Sequence, residues 1–289
     1  MVFGLQSYKK NTIPYNRYVT FNNICRFSRK NLKKRISLWF FVRFVLPLYP
    51  NLPLLLEIMA CILHIETSTN VCSVAVSENG QCIFEQKEEG ERGAGAERLG
   101  TMVDEAMSFT DNHAIPFDAV SVSCGPGSYT GLRIGVSMAK GICYGRDLKL
   151  IAVPTLELMC VPVLLRETVQ EDNALLCPMI DARRMEVYSA LYDRSLKTVR
   201  EVGADVVTAD TYKEWLDERP IYFFGNGAEK CMETINHPNA HLIEGIEPLA
   251  KWMQPLAEKR FLNEQFEDVA YFVPFYLKDF VAIKAKPLL

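Results

Sequence analysis

The residues best placed to do chemistry are gathered in Cys124-Gly125-Pro126-Gly127-Ser128-Tyr129-Thr130-Gly131-Leu132-Arg133, where three glycines fall within seven positions. Glycine admits backbone angles and close approaches that a side chain forbids. Ser128 or Thr130 can cap a helix whose first N–H groups then face an anion. The chemistry on offer is the cradling of a phosphate, with Arg133 as the counter-charge. It is not a Walker A loop, because the basic residue stands two past the last glycine and no Gly-Lys-Ser/Thr closes the stretch. A tight turn that lets a helix pack closely beneath a strand is the structural alternative.

A second candidate is Glu66-Thr67-Ser68-Thr69, a carboxylate and three hydroxyls at a turn, suited to a metal-bound phosphate or to a hairpin satisfying its own backbone. With the glycine stretch it gives a phosphate- or nucleotide-binding set of Thr67, Ser68, Gly125, Gly127, Ser128, Thr130 and Arg133. Asp181 with Arg183 and Arg184 could clamp a phosphate or form a surface ion pair. His237 and His241 have the spacing of helical zinc ligands, but Pro238 and Asn239 lie between them and no Glu follows His237. His64 sits in an apolar run and reads as a packed core residue. Gly127-Ser128 lacks the second glycine of a nucleophile elbow.

The elements that must position these residues follow from apolar patterning. Cys61 to Glu66, Val71 to Val76 and Cys82 to Gln86 read as three antiparallel strands, the last two joined at Asn79-Gly80. Leu99, Met102, Val103, Ala106 and Met107 mark one face of a helix. A strand from Phe117 to Ser123 feeds the glycine loop. The helix after it is apolar all round, with Leu132, Gly135, Val136, Ala139, Ile142 and Cys143 on one side and Ile134, Met138 and Gly141 on the other, so burial on every side is expected. Leu148 to Val153 is a strand, and Thr155 to Leu165 a helix disturbed at Pro162. The sequence of elements then repeats in kind. Strands Ala174 to Ile180, Glu186 to Tyr192, Val202 to Val207 and Ile221 to Phe224 come with helices around Tyr212 to Asp217, from Ala228 after Gly225-Asn226-Gly227, and from Leu249 to Phe261. An apolar run, Tyr271 to Leu277, follows.

Of the 32 basic residues ten lie in 1–58, where Glu57 is the single acid; from Met59 onward 22 bases face 34 acids, a net charge of -12. An acidic body of this kind excludes a broad nucleic-acid footprint of its own. Residues 1–58 are read as a basic extension outside the fold, with Met59 as the expected start of the conforming sequence. Targeting and a membrane-surface anchor are the alternatives. Its apolar run Ile36 to Leu46 is too short and broken to span a bilayer. The nine cysteines are scattered without metal-ligand spacing and read as reduced core residues.

The set Ile65-Glu66-Thr67-Ser68-Thr69, Met102-Val103-Asp104-Glu105-Ala106, the loop Gly125 to Gly135, Asp181-Ala182-Arg183, Gly225-Asn226-Gly227 and Pro274-Phe275-Tyr276-Leu277 resembles the bacterial TsaB (YeaZ) family. The resemblance runs from Met59 to the C-terminus. It implies an α/β fold of the actin-like, sugar-kinase/Hsp70 type, with two ribonuclease-H-like lobes of mixed sheets, 59–160 and 161–289. It further implies a non-catalytic dimerisation and activating subunit for the addition of threonylcarbamoyl to N6 of adenosine 37 in tRNAs reading codons that begin with A.

In that pathway the paralogue TsaD holds metal and performs the transfer, TsaE is an ATPase, and TsaC makes the adenylate. The catalytic paralogue carries two metal-binding histidines where this chain reads Gly95-Ala96-Glu97-Arg98-Leu99-Gly100-Thr101-Met102, so no catalytic or metal residue is expected here. Glu66 also replaces the Asp usual in kinase-like relatives. The family meets its partner through the first two helices, which places the interface at Leu99, Met102, Val103, Ala106, Met107, Gly131, Leu132, Gly135 and Ala139. The loop glycines would then let the second helix approach a partner helix.

The implied partners are a TsaD-like subunit and a TsaE-like ATPase, with tRNA met through the complex, no membrane contact, a homodimer when alone and a cytoplasmic location. No cofactor is required by the chain; ATP/ADP and a metal enter through partners. The competing reading is an actin-fold ATPase or kinase, or a metal-dependent peptidase-like enzyme.

Overall fold

The computed structural model describes residues 60–90 and 98–278, which fall in one compact unit, Ile58–Leu289. The expectations for the extension 1–58 lie outside the described residues.

The first sheet comprises β1 (Cys61–Glu66), β2 (Val71–Glu78), β3 (Gln81–Glu89), β4 (Ala119–Ser123) and β5 (Lys149–Val153), in the order β3-β2-β1-β4-β5. Strands β1 to β3 are antiparallel, and β4 and β5 continue parallel to β1. Every residue of β1 is buried, as an apolar run covered on both faces requires. The β2–β3 hairpin turns at Asn79 and Gly80, both with positive φ (54° and 76°), as an Asn-Gly turn demands.

The second sheet repeats this plan with β6 (Leu175–Asp181), β7 (Glu186–Tyr192), β8 (Thr198–Val206), β9 (Ile221–Phe224) and β10 (Ala240–Ile243), in the order β10-β9-β6-β7-β8. The two orders superimpose, first hairpin on first hairpin and parallel edge on parallel edge. Two mixed sheets with helices thus form the expected duplicated α/β architecture.

Helix α1 (Leu99–Asn112) and helix α2 (Tyr129–Arg146) cover one face of the first sheet, with Leu99, Met102, Val103, Ala106, Val136 and Ala139 in a common core with β1, β2 and β4. Helix α3 (Thr155–Leu165) runs through the boundary drawn at residue 160. Its Leu158 and Val161 pack with Ile62 and Val153 of the first sheet, whereas Met159 and Val163 pack with Leu176 and Phe224 of the second. The short helices α4 (Lys213–Leu216) and α5 (Glu229–Met232) lie in the second half. A 3-10 turn, Ala250–Met253, leads into α6 (Gln254–Leu262), which returns to the first sheet through Met253, Leu256 and Ala257.

Three differences from the sequence reading have physical causes. Strand β10 went unread because Pro238 and Asn239 mask its start and only Leu242 and Ile243 follow a polar residue. The helix expected from Leu249 to Phe261 is split, since Pro255 cannot donate within a helix and sits in the first turn of α6 instead. Finally, α2 is not buried all round: Ile134 is 36% and Tyr144 88% exposed. No helix among the described residues is long and apolar enough to cross a membrane.

Candidate partner-binding groove and the loops beneath it

The glycine loop begins where β4 ends. Ser128 caps α2 by accepting the Gly131 N–H at 3.3 Å. The rest of the loop faces the β1–β2 turn rather than open space. Ser128 N–H donates to the Ser68 carbonyl at 2.7 Å, and Thr67 Oγ1 donates to the Gly131 carbonyl at 2.8 Å. A Cβ at Gly127, Gly131 or Gly135 would fall under 3.0 Å from Ser68 or Thr67. These glycines are therefore needed because the chain's own hairpin turn lies against them.

This geometry bears on two expectations. Thr67 and Ser68 are buried, and the space a phosphate would need between the two loops is filled by their mutual contacts, so the residues present do not fit a bound nucleotide phosphate there. Ser128, Thr130 and Arg133 are exposed at the rim, with Arg133 5.5 Å over the Tyr129 ring. The residues expected at the interface are mostly buried within the chain. Leu99, Met102, Val103 and Ala106 are at most 5% exposed, and Leu132 and Ala139 fully buried, because they are consumed by the sheet beneath. Gly131 and Gly135 serve the Thr67 contact. Of the nine residues, Met107 alone reaches an open surface.

That surface is a groove of about 840 Å³ between α1 and α2, lined chiefly by Met107, Ile134, Met138, Gly141, Ile142 and Gly145, with Tyr129, Thr130 and Arg133 at one end and Arg146 at the other. A Cβ added at Gly141 or Gly145 would meet nothing within 4 Å among the described residues, so packing of the described residues does not require these glycines. Two glycines inside an exposed helix weaken it by roughly 0.5–1 kcal/mol each relative to Ala. What they provide is a flat apolar strip that another backbone can approach. The signal was present in sequence as Ile134, Met138, Gly141, Ile142 and Gly145, spaced i, i+4, i+7, i+8 and i+11. It was obscured because the buried face of the same helix is equally apolar.

Under the loops lies a polar core. His64 is fully buried, with Nδ1 2.6 Å from Ser121 Oγ and Nε2 2.8 Å from Ser77 Oγ; burial pushes its pKa down to about 3. It is a neutral ring tying three strands together, as expected of a core histidine. Glu66, also fully buried, accepts the Ser68 N–H on Oε1 at 2.5 Å, and burial raises its pKa from 4.5 to about 7 against the opposing effect of its hydrogen bonds. Its Oε2 and the Ser68 hydroxyl have no hydrogen-bond partner among the described residues.

Elsewhere the sequence candidates separate. His237 lies 3.4 Å from Asp217 and His241 stacks on Tyr222 at 4.9 Å, so the pair does not converge, and no group of three or more metal-ligating side chains occurs among the described residues. Asp181 accepts from Lys230 Nζ at 2.5 Å and from the Arg183 N–H at 2.9 Å. The described cysteines are free thiols, and burial pushes those of Cys72, Cys124 and Cys143 up to about 12.

Comparison with known proteins places this geometry. The family model described as "TsaD: tRNA N6-adenosine threonylcarbamoyltransferase" matches residues 94–286. The tRNA threonylcarbamoyladenosine biosynthesis protein TsaB of Bacillus subtilis (strain 168) is 32% identical over 169 residues, 55% of this chain and 69% of that protein. The TsaB protein of Escherichia coli (strain K12) is 28% identical over 234 residues, 78% of this chain and 98% of that one. The structure of YeaZ from Pseudomonas aeruginosa aligns with a TM-score of 0.64 at 23% identity, covering 76% of this chain and all of its own, and shows the same fold, actin-like with two ribonuclease-H-like lobes. Matched by the model across about two thirds of its length and by TsaB relatives over most of theirs, the chain belongs to the TsaB (YeaZ) family.

Proposed function

We propose that this protein is the non-catalytic, activating subunit of the machinery that forms threonylcarbamoyladenosine in tRNA, and that it works by docking a TsaD-like transferase on the α1–α2 groove. The observation that carries the reading is the groove itself, an apolar strip whose Gly141 and Gly145 answer to no contact among the described residues. A partner presenting two apolar helices would complete a four-helix packing around Met107, Ile134, Met138 and Ile142, with the glycines permitting close backbone approach. Two methionines in the strip suit an adaptable surface.

The non-catalytic role is supported by α1, which lacks histidine where the transferase paralogue carries two, and by the closed loop pair, which leaves an ATPase or kinase reading without its phosphate cradle. ATP or ADP and a metal then belong to the TsaD-like and TsaE-like partners, in the cytoplasm, and a second copy of this chain occupies the groove when no partner is present.

Reconstituted threonylcarbamoyl transfer to tRNA tests the proposal. The full chain alone is expected to be inert and to raise the transferase's rate on mixing. Transfer by the chain alone, or a rate indifferent to its addition, overturns it.

A further inference from the structure

Arginines among the described residues are mostly tied to carboxylates, as Arg200 is to Asp205 and Arg260 to Glu157. Arg183 and Arg184 are exceptions. They stand side by side at the tip of the β6–β7 hairpin, exposed, with no carboxylate within ion-pair distance among the described residues. The carboxylates that flank the tip are already engaged: Asp181 pairs with Lys230, and Glu186 pairs with Lys278. The two guanidinium charges are therefore uncompensated.

The tip is also braced. Lys230 Nζ donates to Asp181 Oδ1 and the Arg184 carbonyl, both at 2.5 Å, and to the Glu186 carbonyl at 2.9 Å, fixing the loop from below. Both arginines have positive φ, 77° and 54°, a conformation that costs a non-glycine residue. From Glu186 a short strap leads through Lys278 to Tyr276, whose ring packs 4.7 Å from the Tyr129 ring, and Arg133 lies over the Tyr129 ring. Lys278, the paired Tyr276 and Tyr129 rings and Arg133 thus lie between the hairpin tip and the end of the groove.

Forked guanidiniums match phosphate oxygens, and tyrosine faces match unstacked bases; together they suit looped RNA better than an acidic peptide, which has no use for the rings. A small contact of this kind is compatible with an acidic body, because the rest of the grip comes from the partner.

We infer that the Arg183–Arg184 tip is a direct RNA-backbone contact, taking about two phosphates of the tRNA held by the assembled complex. The inference rests on the proposed function. Its test is tRNA affinity as a function of salt, measured on the full chain co-purified with its transferase. The double variant Arg183→Gly/Arg184→Gly removes the charges while placing glycine where φ is positive, so the hairpin is not weakened.

The expected result is roughly a tenfold or greater loss of affinity near 0.1 M salt and a fall of about 2 in the slope of log K against log salt. Arg183→Lys/Arg184→Lys should keep most of that slope. An unchanged slope in the glycine variant overturns the inference, as does loss of a protein partner with RNA affinity intact, which would make the tip an acidic-protein contact. Absence of tRNA binding by the parent complex would instead strike the functional reading on which this rests.

Discussion

Replacing Glu66 by Gln should stabilise the protein at alkaline pH and do little at acid pH. The folded chain holds this carboxyl fully buried, with one oxygen that has no hydrogen-bond partner among the described residues, and burial moves its pKa from 4.5 to about 7. A carboxyl raised in this way is protonated in the folded state while the unfolded chain ionises it, so the unfolded chain binds fewer protons between those two values. Stability then falls as pH rises from about 4.5 to about 7 and levels off above, by roughly 3 kcal/mol in all. Gln has nearly the same shape and no such penalty.

Urea unfolding of parent and Glu66→Gln should therefore show a gap that widens in favour of the variant by roughly 2–3 kcal/mol between about pH 5 and about pH 8. His64 has the opposite sign: its pKa is pushed down to about 3, so its neutral form contributes fully above 6.5 and is lost as pH falls. That contribution is common to both proteins and cancels in the difference. An identical gap at the two pH values would refute the assignment of Glu66 as a buried, neutral carboxyl.

Other predictions follow from the same packing. Gly135→Ala sets a Cβ against Thr67 and should cost roughly 1–3 kcal/mol in thermal or urea unfolding, whereas Gly141→Ala meets nothing among the described residues and should stabilise by roughly 0.5–1 kcal/mol while weakening partner association. His64→Leu strands the Ser77 hydroxyl in the core and leaves Ser121 only its weak bond to the Met253 thioether, and should cost about 2–4 kcal/mol, read by the same unfolding curves at neutral pH.

Most elements were readable in the residues, because their signals are local. Asn79-Gly80 fixes a hairpin turn, the continuous apolar run of β1 requires cover on both faces, and Gly125 to Gly131 marks a strand-to-helix junction. What the residues could not tell was what each apolar face packs against. The Leu99 to Met107 stripe demands burial, but periodicity is silent on whether a sheet or a partner supplies it; here the core over the sheet does, with Met107 only partly buried and also lining the groove. The glycine loop misled for a related reason. A glycine needed for close approach looks alike whether the neighbour is a phosphate, a partner helix or, as here, the Thr67–Ser68 turn. Only the distant hairpin, brought in by the parallel pairing of β1 and β4, decides among them.

The most direct test of the account is the association of the full chain with a TsaD-like transferase, followed by sedimentation velocity, for the parent and for Ile134→Glu and Met138→Glu. Both residues line the groove, and Ile134 lies on its exposed wall, so the folded state should survive, as circular dichroism would verify. The account predicts a one-to-one complex for the parent and its loss in both variants, since a buried, unpaired carboxylate in an apolar interface is strongly unfavourable. A complex of undiminished affinity in folded Met138→Glu would contradict it and leave the groove as bare surface.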